Sequence, residues 1–185
     1  MDSNGNEREQ ANYCYVPSTW AENIVEQAEK DGLRLSYHTP YRLNIHRDEF
    51  CKLAWQTIQA VNPNINLPEL AQPFSDCDED IVRQIAALGI VTGYEDGTFQ
   101  PTRELSRQEA TVILQRLYTV LYGKIEASPT LYADNGSIGV WAKDSVYAMR
   151  QTGIMQGVGS NRFAPKNGYT CEQSIVTMLR MTQKA

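Results

Sequence analysis

The chain has 185 residues, of which 42% are hydrophobic and 21% are charged, an ordinary composition for a globular protein. Its net charge of −5 argues against nonspecific binding to nucleic acid, which depends on clustered lysines and arginines. The same charge provides no overall attraction to an anionic polymer, so binding such a polymer would need locally placed cations.

No apolar run approaches the roughly 20 residues of a membrane span, so we expect no membrane insertion. Residues 1–17 form an N-terminal polar segment without the apolar core of an export signal. If the protein is exported, this sequence therefore corresponds to a mature segment or to a piece of a longer protein.

The first predicted unit, repeat 1, spans residues 18–62 and consists of a helix, a loop and a second helix. Ile24 and Ala28 belong to the apolar stripe of the first helix, which Gly32 ends. His46 stands immediately before the second helix, which favours a capping or surface role for its side chain. A linker rich in proline and asparagine, residues 62–68, leads to the next unit.

Repeat 2, residues 73–123, is the best preserved unit. Asp76 is placed to cap its first helix and Gly89 to end it. Residues 93–98 are rich in turn-forming types, and the loop ends at the aromatic Phe99. Ser106 and Glu109 have the spacing of a capping box at the start of the second helix. The apolar stripes of the two helices are Ile81, Val82, Ile85 and Leu88, and Ala110, Ile113, Leu114, Leu117 and Leu121.

Repeat 3, residues 131–182, has the same order of features. A single constant spacing in residue number, which we call the repeat period, relates Gly89, Gly93, Phe99 and Pro101 to Gly153, Gly157, Phe163 and Pro165. Such a constant period indicates a repeat architecture. One helix-loop-helix unit cannot bury its own apolar stripe, so three units should pack around a shared axis. The sequence therefore predicts an all-α fold with pseudo-threefold symmetry.

Residues 18–181 resemble the S-layer homology domain family. The residues that carry the resemblance are Phe74-Ser75-Asp76, segment 89–93, Asp96-Gly97-Thr98-Phe99 with Pro101, and segment 105–110, which is similar to the family's Thr-Arg-Ala-Glu signature. The resemblance implies three tandem repeats that form a three-pronged helical spindle. It also implies a Gram-positive surface protein anchored noncovalently to secondary cell wall polysaccharide, often pyruvylated, in grooves between repeats. On this interpretation the chain is an extracellular cell-wall module of a larger surface protein and has no cofactor.

Two arginines are the leading candidates for binding an anionic sugar. Arg107 lies in the first turn of its helix, where a positive charge is unfavourable because it opposes the helix dipole. A residue that is unfavourable for the local structure is a candidate functional residue. The free N–H groups of that turn favour an anion, and a guanidinium can hold the carboxylate of a pyruvyl ketal. Arg47 has the matching position in repeat 1, whereas repeat 3 has Cys171 there. The alternative for both arginines is a solvated residue at a helix start, paired with a nearby acid.

The loop of repeat 2 provides four further candidate binding residues, Gly93, Tyr94, Asp96 and Gly97. The two glycines either provide positive φ in a tight loop or let the backbone approach a sugar closely. Asp96 is interpreted first as a turn-stabilising residue and second as an acceptor for a sugar hydroxyl. We expect one good site involving repeat 2, at most one more using Arg47, and a third repeat kept mainly for the fold.

Residues near the helix starts complete the candidate set. Trp20 and Trp141 occupy matching positions, and a role in the core is favoured over stacking on a sugar face. Lys143 is either a solvated charge or a residue lining a groove.

Neither a metal site nor catalytic chemistry is predicted. The four cysteines, Cys14, Cys51, Cys77 and Cys171, form no Cys-x-x-Cys pair, and buried thiols are favoured over one long-range disulfide. The run that starts at Asp76 begins like an EF-hand loop, but its sixth and twelfth positions are Ile81 and Ala87. The only histidines are His38 and His46, and no paired acids suggest hydrolysis, so the chain is not expected to be an enzyme. A structural or self-association module whose sugar sites have decayed is the alternative function.

Overall fold

The computed structural model describes residues 13–36 and 39–184, so most of the N-terminal polar segment and His38 lie outside the described residues. Within these ranges the chain forms helices and isolated β-bridges without a β-sheet, which confirms the all-α prediction. The α-helices are α1 (Glu22–Lys30), α2 (Arg47–Val61), α3 (Asp80–Ala87), α4 (Arg107–Tyr122), α5 (Lys143–Gln151) and α6 (Cys171–Thr182). Two short 3-10 helices, Asn135–Ser137 and Val140–Ala142, precede α5. None of the helices in the described ranges is long and apolar enough to cross a membrane.

Local sequence signals set several of the helix boundaries. Ser106 and Thr170 each begin a helix with a capping box, in which their side chains accept from the backbone of Glu109 and Gln173. The first helix of repeat 2 ends before Gly89, whose φ of 73° lies in the left-handed region that glycine adopts at low cost. These local signals confirm where the helices start and stop.

Asp76 does not cap a helix as predicted. Helix α3 begins four residues later, and the carboxylate of Asp76 accepts hydrogen bonds from the backbone N–H groups of Phe99 (2.6 Å) and Gln100 (2.8 Å). Asp134 accepts from Phe163 and Ala164 in the same way, at 2.8 Å each. The aspartate that opens each of these repeats therefore holds the far end of the long loop, because two loop N–H groups converge on it.

Acid is expected to loosen these two loops. The Phe99 and Gln100 hydrogen bonds lower the pKa of Asp76 below its ordinary 3.8. Burial alone would raise the pKa of Asp134, but its two backbone hydrogen bonds outweigh burial and lower it. A lowered carboxyl pKa contributes stability above the unfolded-state value, and that stability is lost as pH falls through the folded-state value.

The melting temperature should therefore fall as pH decreases from about 4 to 2, and less steeply in an Asp76→Asn/Asp134→Asn variant. Thermal unfolding followed by circular dichroism measures this. Asp144→Asn is the control, because Asp144 is an exposed carboxylate of α5 and accepts none of these loop hydrogen bonds. Its melting temperature should decline with pH as steeply as that of the wild type. Parallel declines of the wild type and the double variant would contradict the assignment.

The three repeats share one hydrophobic core. The predicted stripe of α4 is buried at Ala110, Ile113, Leu114 and Leu117 and half-buried at Leu121. Cys51, Cys77 and Cys171 are buried free thiols, as predicted. The first helix of each repeat packs on the second helix of the preceding repeat, so α3 contacts α2, α5 contacts α4 and α1 contacts α6. Each repeat thus covers the apolar stripe of its neighbour.

Backbone hydrogen bonds connect the repeats in the same cyclic order. The first two N–H groups of α2, α4 and α6 donate to carbonyls in the loop of the next repeat, and the segments before these helices pair as β-bridges. In α2, Arg47 donates to Arg103 and Asp48 to Pro101. In α4, Arg107 donates to Asn167 and Gln108 to Pro165, and in α6, Cys171 donates to Leu43 and Glu172 to Tyr41. All six hydrogen bonds are 2.8–3.1 Å long. Repeat 1 therefore donates hydrogen bonds to repeat 2, repeat 2 donates to repeat 3, and repeat 3 donates to repeat 1. A pseudo-threefold spindle requires such a closed cycle.

Candidate functional site

Arg107 and Arg47 reach out of their own repeat into the loop of the next one. Arg107 is 5% exposed, and its Nε and Nη2 donate to the carbonyls of Phe163 (3.0 Å) and Gln156 (2.8 Å). Arg47 is 8% exposed and donates in the same way to Phe99 (2.8 Å) and Thr92 (3.0 Å). Each arginine therefore holds both ends of a loop that belongs to the following repeat.

The helix starts do not offer the free N–H groups that the sequence suggested for binding an anion. The first two N–H groups of α2 and α4 already donate to neighbouring loop carbonyls, and the third N–H of α4 donates to the Ser106 hydroxyl. Any attraction for an anion must therefore come from side chains. Burial lowers the pKa of Arg107 and Arg47, yet a guanidinium remains charged under ordinary conditions, so both cations are available.

Arg107 lines a groove between repeats 2 and 3, the 2–3 groove, with a volume of about 380 Å³. Its polar lining includes Arg107, Gln156, Gln173 and Arg180, and Trp20 of repeat 1 lies on one side. The Nη1 of Arg107 lies 3.4 Å from the Oε1 of Gln173. The groove thus combines two guanidinium groups with one indole ring.

Arg47 lines an equivalent but smaller groove between repeats 1 and 2, the 1–2 groove, with a volume of about 170 Å³. Its residues include Arg47, Thr92, Glu109, Arg116 and Trp141. The repeat period relates Thr92, Glu109 and Arg116 to three residues of the 2–3 groove, namely Gln156, Gln173 and Arg180. In each groove the tryptophan comes from the remaining repeat, which is repeat 1 for the 2–3 groove and repeat 3 for the 1–2 groove.

The two grooves differ in charge at one pair of equivalent residues, Glu109 in the 1–2 groove and Gln173 in the 2–3 groove. In the 1–2 groove the carboxylate of Glu109 lies 2.8 Å from Nη2 of Arg103 and accepts from Ser106. Burial would raise the pKa of Glu109, but the Ser106 hydrogen bonds and the Arg103 charge lower it overall, so this acid stays ionised. The 2–3 groove has the neutral Gln173 at the same place. Two arginines and no carboxylate line it, and it has the more positive lining.

Trp20 and Trp141 do not lie in the core, and the prediction that favoured a core role is wrong. They are 53% and 60% exposed. The residues that follow them, Ala21 and Ala142, are fully buried and take the inward position at each helix start. The indole rings are therefore left at the groove edges, where a flat apolar surface can stack on a sugar ring.

The loop residues of repeat 2 do not meet Arg107. Tyr94 lies against Arg47, with the Cζ of Arg47 5.0 Å from the ring centroid. Asp96 accepts hydrogen bonds from the backbone and hydroxyl of Thr98, and Gly97 adopts a φ of 81°, so both shape the turn. The structure thus separates the loop of repeat 2 and the arginine of repeat 2 into different grooves. The arginines of repeats 1 and 2 each bind the loop of the next repeat.

Two other predicted features lie apart from the grooves. Gly93 packs against the Phe74 ring, and Lys143 is half-buried at the start of α5 and is not among the residues that line either groove. In the third interface, between repeats 3 and 1, Cys171 stands at the arginine position. Cys77 stands one repeat period before Trp141 but is buried, unlike the two tryptophans. Neither cysteine can provide the guanidinium or the indole ring that the other two interfaces share. Within the described ranges, no three His, Cys, Asp or Glu side chains lie together as metal ligands.

The sequence interpretation missed Arg180, Arg116, Gln156 and Gln173. The sequence does contain a signal for these residues, because polar side chains recur at the repeat period, as in Arg116 and Arg180 or Glu109 and Gln173. Each could have been found by asking which polar residues recur at the repeat period.

Comparisons with known proteins agree with this architecture. The family model of the S-layer homology domain matches residues 75–111 and 136–168. The chain is 24% identical over 182 residues to an amylopullulanase of Thermoanaerobacterium thermosulfurigenes and 25% identical over 182 residues to an exoglucanase of Acetivibrio thermocellus, each match covering 92% of this chain. It is 32% identical over 100 residues, 54% of this chain, to an S-layer protein of Bacillus thuringiensis subsp. finitimus. The matches cover 9%, 16% and 12% of these three proteins, respectively.

Proposed function

This chain belongs to the S-layer homology domain family through its segments 75–111 and 136–168, and we propose that it anchors a larger surface protein noncovalently to an anionic secondary polysaccharide of the cell wall. The small share of each relative that the chain covers supports a module with other domains attached. An anchoring role requires a binding surface rather than catalytic residues, and the relatives named as enzymes have most of their length outside the match. The anchored protein and its activity are therefore separate from this chain's own role.

The 2–3 groove is the proposed principal binding site. The observation that carries this is the placement of Arg107, Arg180 and the exposed Trp20 around one groove in a protein of net charge −5. Guanidinium groups pair with carboxylates, and an indole ring stacks on the apolar face of a sugar. A pyruvyl ketal presents a carboxylate on a sugar ring and would use both kinds of contact.

The 1–2 groove is proposed as a weaker second site. It keeps Arg47, Arg116 and Trp141, but it is smaller and contains the ionised Glu109. That carboxylate would repel an acidic sugar, so this groove contributes less to binding.

Trp20→Ala is expected to weaken wall binding about tenfold, because a central tryptophan contact is worth roughly 1.4 kcal/mol or more. Trp141→Ala, the matched change in the 1–2 groove, should have a smaller effect. Both rings are more than half exposed, so neither change should alter the melting temperature much. Cosedimentation with isolated Gram-positive cell walls, before and after chemical removal of pyruvate, measures the affinity. Equal binding by the wild type and both variants would reject the groove assignment.

The alternative is a structural or self-association module. It is supported by the third interface, where Cys171 stands at the position that an arginine has in the other two. Sedimentation that depends on protein concentration, together with no binding to walls, would favour it over anchoring.

A further inference from the structure

A second cavity adjoins the 2–3 groove on the side of the repeat 3 loop. We call it the Tyr132 pocket; it has a volume of about 380 Å³ and is lined by Tyr132, Arg150, Gln156, Gly157, Gly159 and Asn161. Gln156 and Gly157 line the 2–3 groove as well, so the two spaces are neighbours along this part of the loop.

Two buried polar atoms of the Tyr132 pocket have no hydrogen-bond partner among the described residues, namely the hydroxyl of Tyr132 and Nη1 of Arg150. Tyr132 is 4% exposed, and the Cζ of Arg150 lies 4.4 Å from its ring centroid. Buried arginines of this chain, such as Arg107, donate to carbonyls, whereas the Arg150 guanidinium lies against the Tyr132 ring and beside its hydroxyl. Unpaired buried donors are unfavourable, so both groups favour an acceptor that the surrounding residues do not provide.

The corresponding place in repeat 2 has no such pocket chemistry. Phe74 takes the place of Tyr132, since the two rings pack on the equivalent loop residues Phe99 and Phe163. Ala86, one repeat period before Arg150, replaces the guanidinium. The Phe74 ring packs against Gly93, where a Cβ would lie 2.6 Å from it, and it has no hydroxyl group to offer. The hydroxyl and the cation are therefore properties of repeat 3 that the shared fold does not require.

The chemistry of the lining indicates an acceptor that carries negative charge. A guanidinium has only donors, and the tyrosine hydroxyl can donate beside it. Asp134 accepts from two loop N–H groups, lies 3.8 Å from Nε of Arg162 and is not among the lining residues, which include no acid. The pocket therefore presents one unneutralised positive charge.

We propose that the Tyr132 pocket is a second subsite of the 2–3 groove, which binds an oxyanion on the next unit of the polysaccharide through Arg150 and the Tyr132 hydroxyl. This inference rests on the proposed anchoring function, since it extends the same ligand beyond the group held near Arg107. With this subsite, repeat 3, which lacks the signature arginine, is the repeat that favours a longer polysaccharide over a single unit.

The test uses oligosaccharides of one and of three repeating units released from Gram-positive cell walls, with affinity measured by isothermal titration calorimetry. A Tyr132→Phe/Arg150→Ala variant installs the residues that repeat 2 has at these positions. We expect it to bind the three-unit fragment about tenfold more weakly than the wild type and the one-unit fragment equally well. Arg162→Ala is the matched control, because it removes a 62% exposed charge from the same loop, and it should leave both affinities unchanged.

The outcomes separate this inference from the proposed function. Trp20→Ala should weaken the binding of both fragments, because it acts in the 2–3 groove itself. If Trp20→Ala weakens both fragments while the double variant binds the three-unit fragment like the Arg162→Ala control, the subsite is rejected and anchoring stands. If the wild type binds neither fragment, both proposals fail. Melting temperatures recorded for each variant ensure that a loss of binding reflects the site and not unfolding.

Discussion

Arg107→Ala is expected to lower the free energy of unfolding by about 3 kcal/mol, because one buried and one half-buried carbonyl each lose a charged donor worth roughly 1.5 kcal/mol or more. Those carbonyls belong to Gln156 and Phe163, at the two ends of the repeat 3 loop. The loop forms one wall of the 2–3 groove, so wall binding should fall by more than the loss of a single ion pair would explain. Urea unfolding monitored by fluorescence measures the first effect, and cosedimentation with cell walls at a temperature well below the transition measures the second.

Two further variants show whether Arg107 acts on the loop or on the ligand. Arg107→Lys keeps the charge, but an ammonium cannot reproduce the planar fork that donates to both carbonyls, so most of the stability should still be lost. Arg162→Ala removes a charge exposed on the same loop and should change stability by no more than about 0.5 kcal/mol. If Arg107→Ala unfolded like the wild type while losing wall binding, the loop-holding role would be wrong and the arginine would act on the sugar alone.

The sequence predicted the repeats and their helix boundaries because those signals are local. Ser106 and Thr170 cap helices through residues three positions away, and Gly89 ends a helix through its own backbone conformation. The repeat period also identified equivalent positions without any knowledge of packing.

The same period could not say which equivalent elements touch. The sequence predicts one good site involving repeat 2, whose loop and arginine both look intact, yet Arg107 reaches Gln156 and Phe163 of the next repeat. The repeat period shows which residues of different repeats are equivalent. It does not show whether an arginine contacts the loop of its own repeat or the equivalent loop of another repeat. Only the cyclic packing of the helix pairs decides between them, and this packing depends on tertiary contacts across the whole chain.

Side-chain direction was the second limit of prediction. Trp20 and Ala21 are neighbours at a helix start, and hydrophobicity alone favours burial of the larger residue. The structure instead buries Ala21 completely and leaves Trp20 53% exposed. Asp76 shows a related limit, since a carboxylate before a helix looks like a cap whether its partner lies in that helix or, as here, at Phe99 across the loop.

Gly157→Ala is expected to destabilise the protein by about 2–3 kcal/mol, because the loop of repeat 3 has no room for a methyl group at this position. A Cβ there would lie 2.5 Å from the carbonyl oxygen of Arg162 and 3.1 Å from Cε1 of Tyr132. The first of these atoms is backbone and cannot rotate away, so the loop itself would have to shift. Since Gly157 lines both the 2–3 groove and the Tyr132 pocket, the shift should weaken wall binding as well.

Two glycine controls separate steric crowding from backbone strain at Gly157. Gly136→Ala meets no heavy atom within 4 Å and has no positive φ, so its effect should be near zero or slightly stabilising. Gly97→Ala also meets open space but keeps a φ of 81°, which costs roughly 1–2 kcal/mol for a residue with a Cβ. Gly157 has the opposite combination, a crowded Cβ position without a positive φ, so any large loss there reports crowding alone. Thermal and urea unfolding of the three variants rank these costs. If Gly157→Ala were no more destabilising than Gly136→Ala, the Arg162 carbonyl would be free to move, and the groove wall would be less rigid than the hydrogen bonds of Arg107 imply.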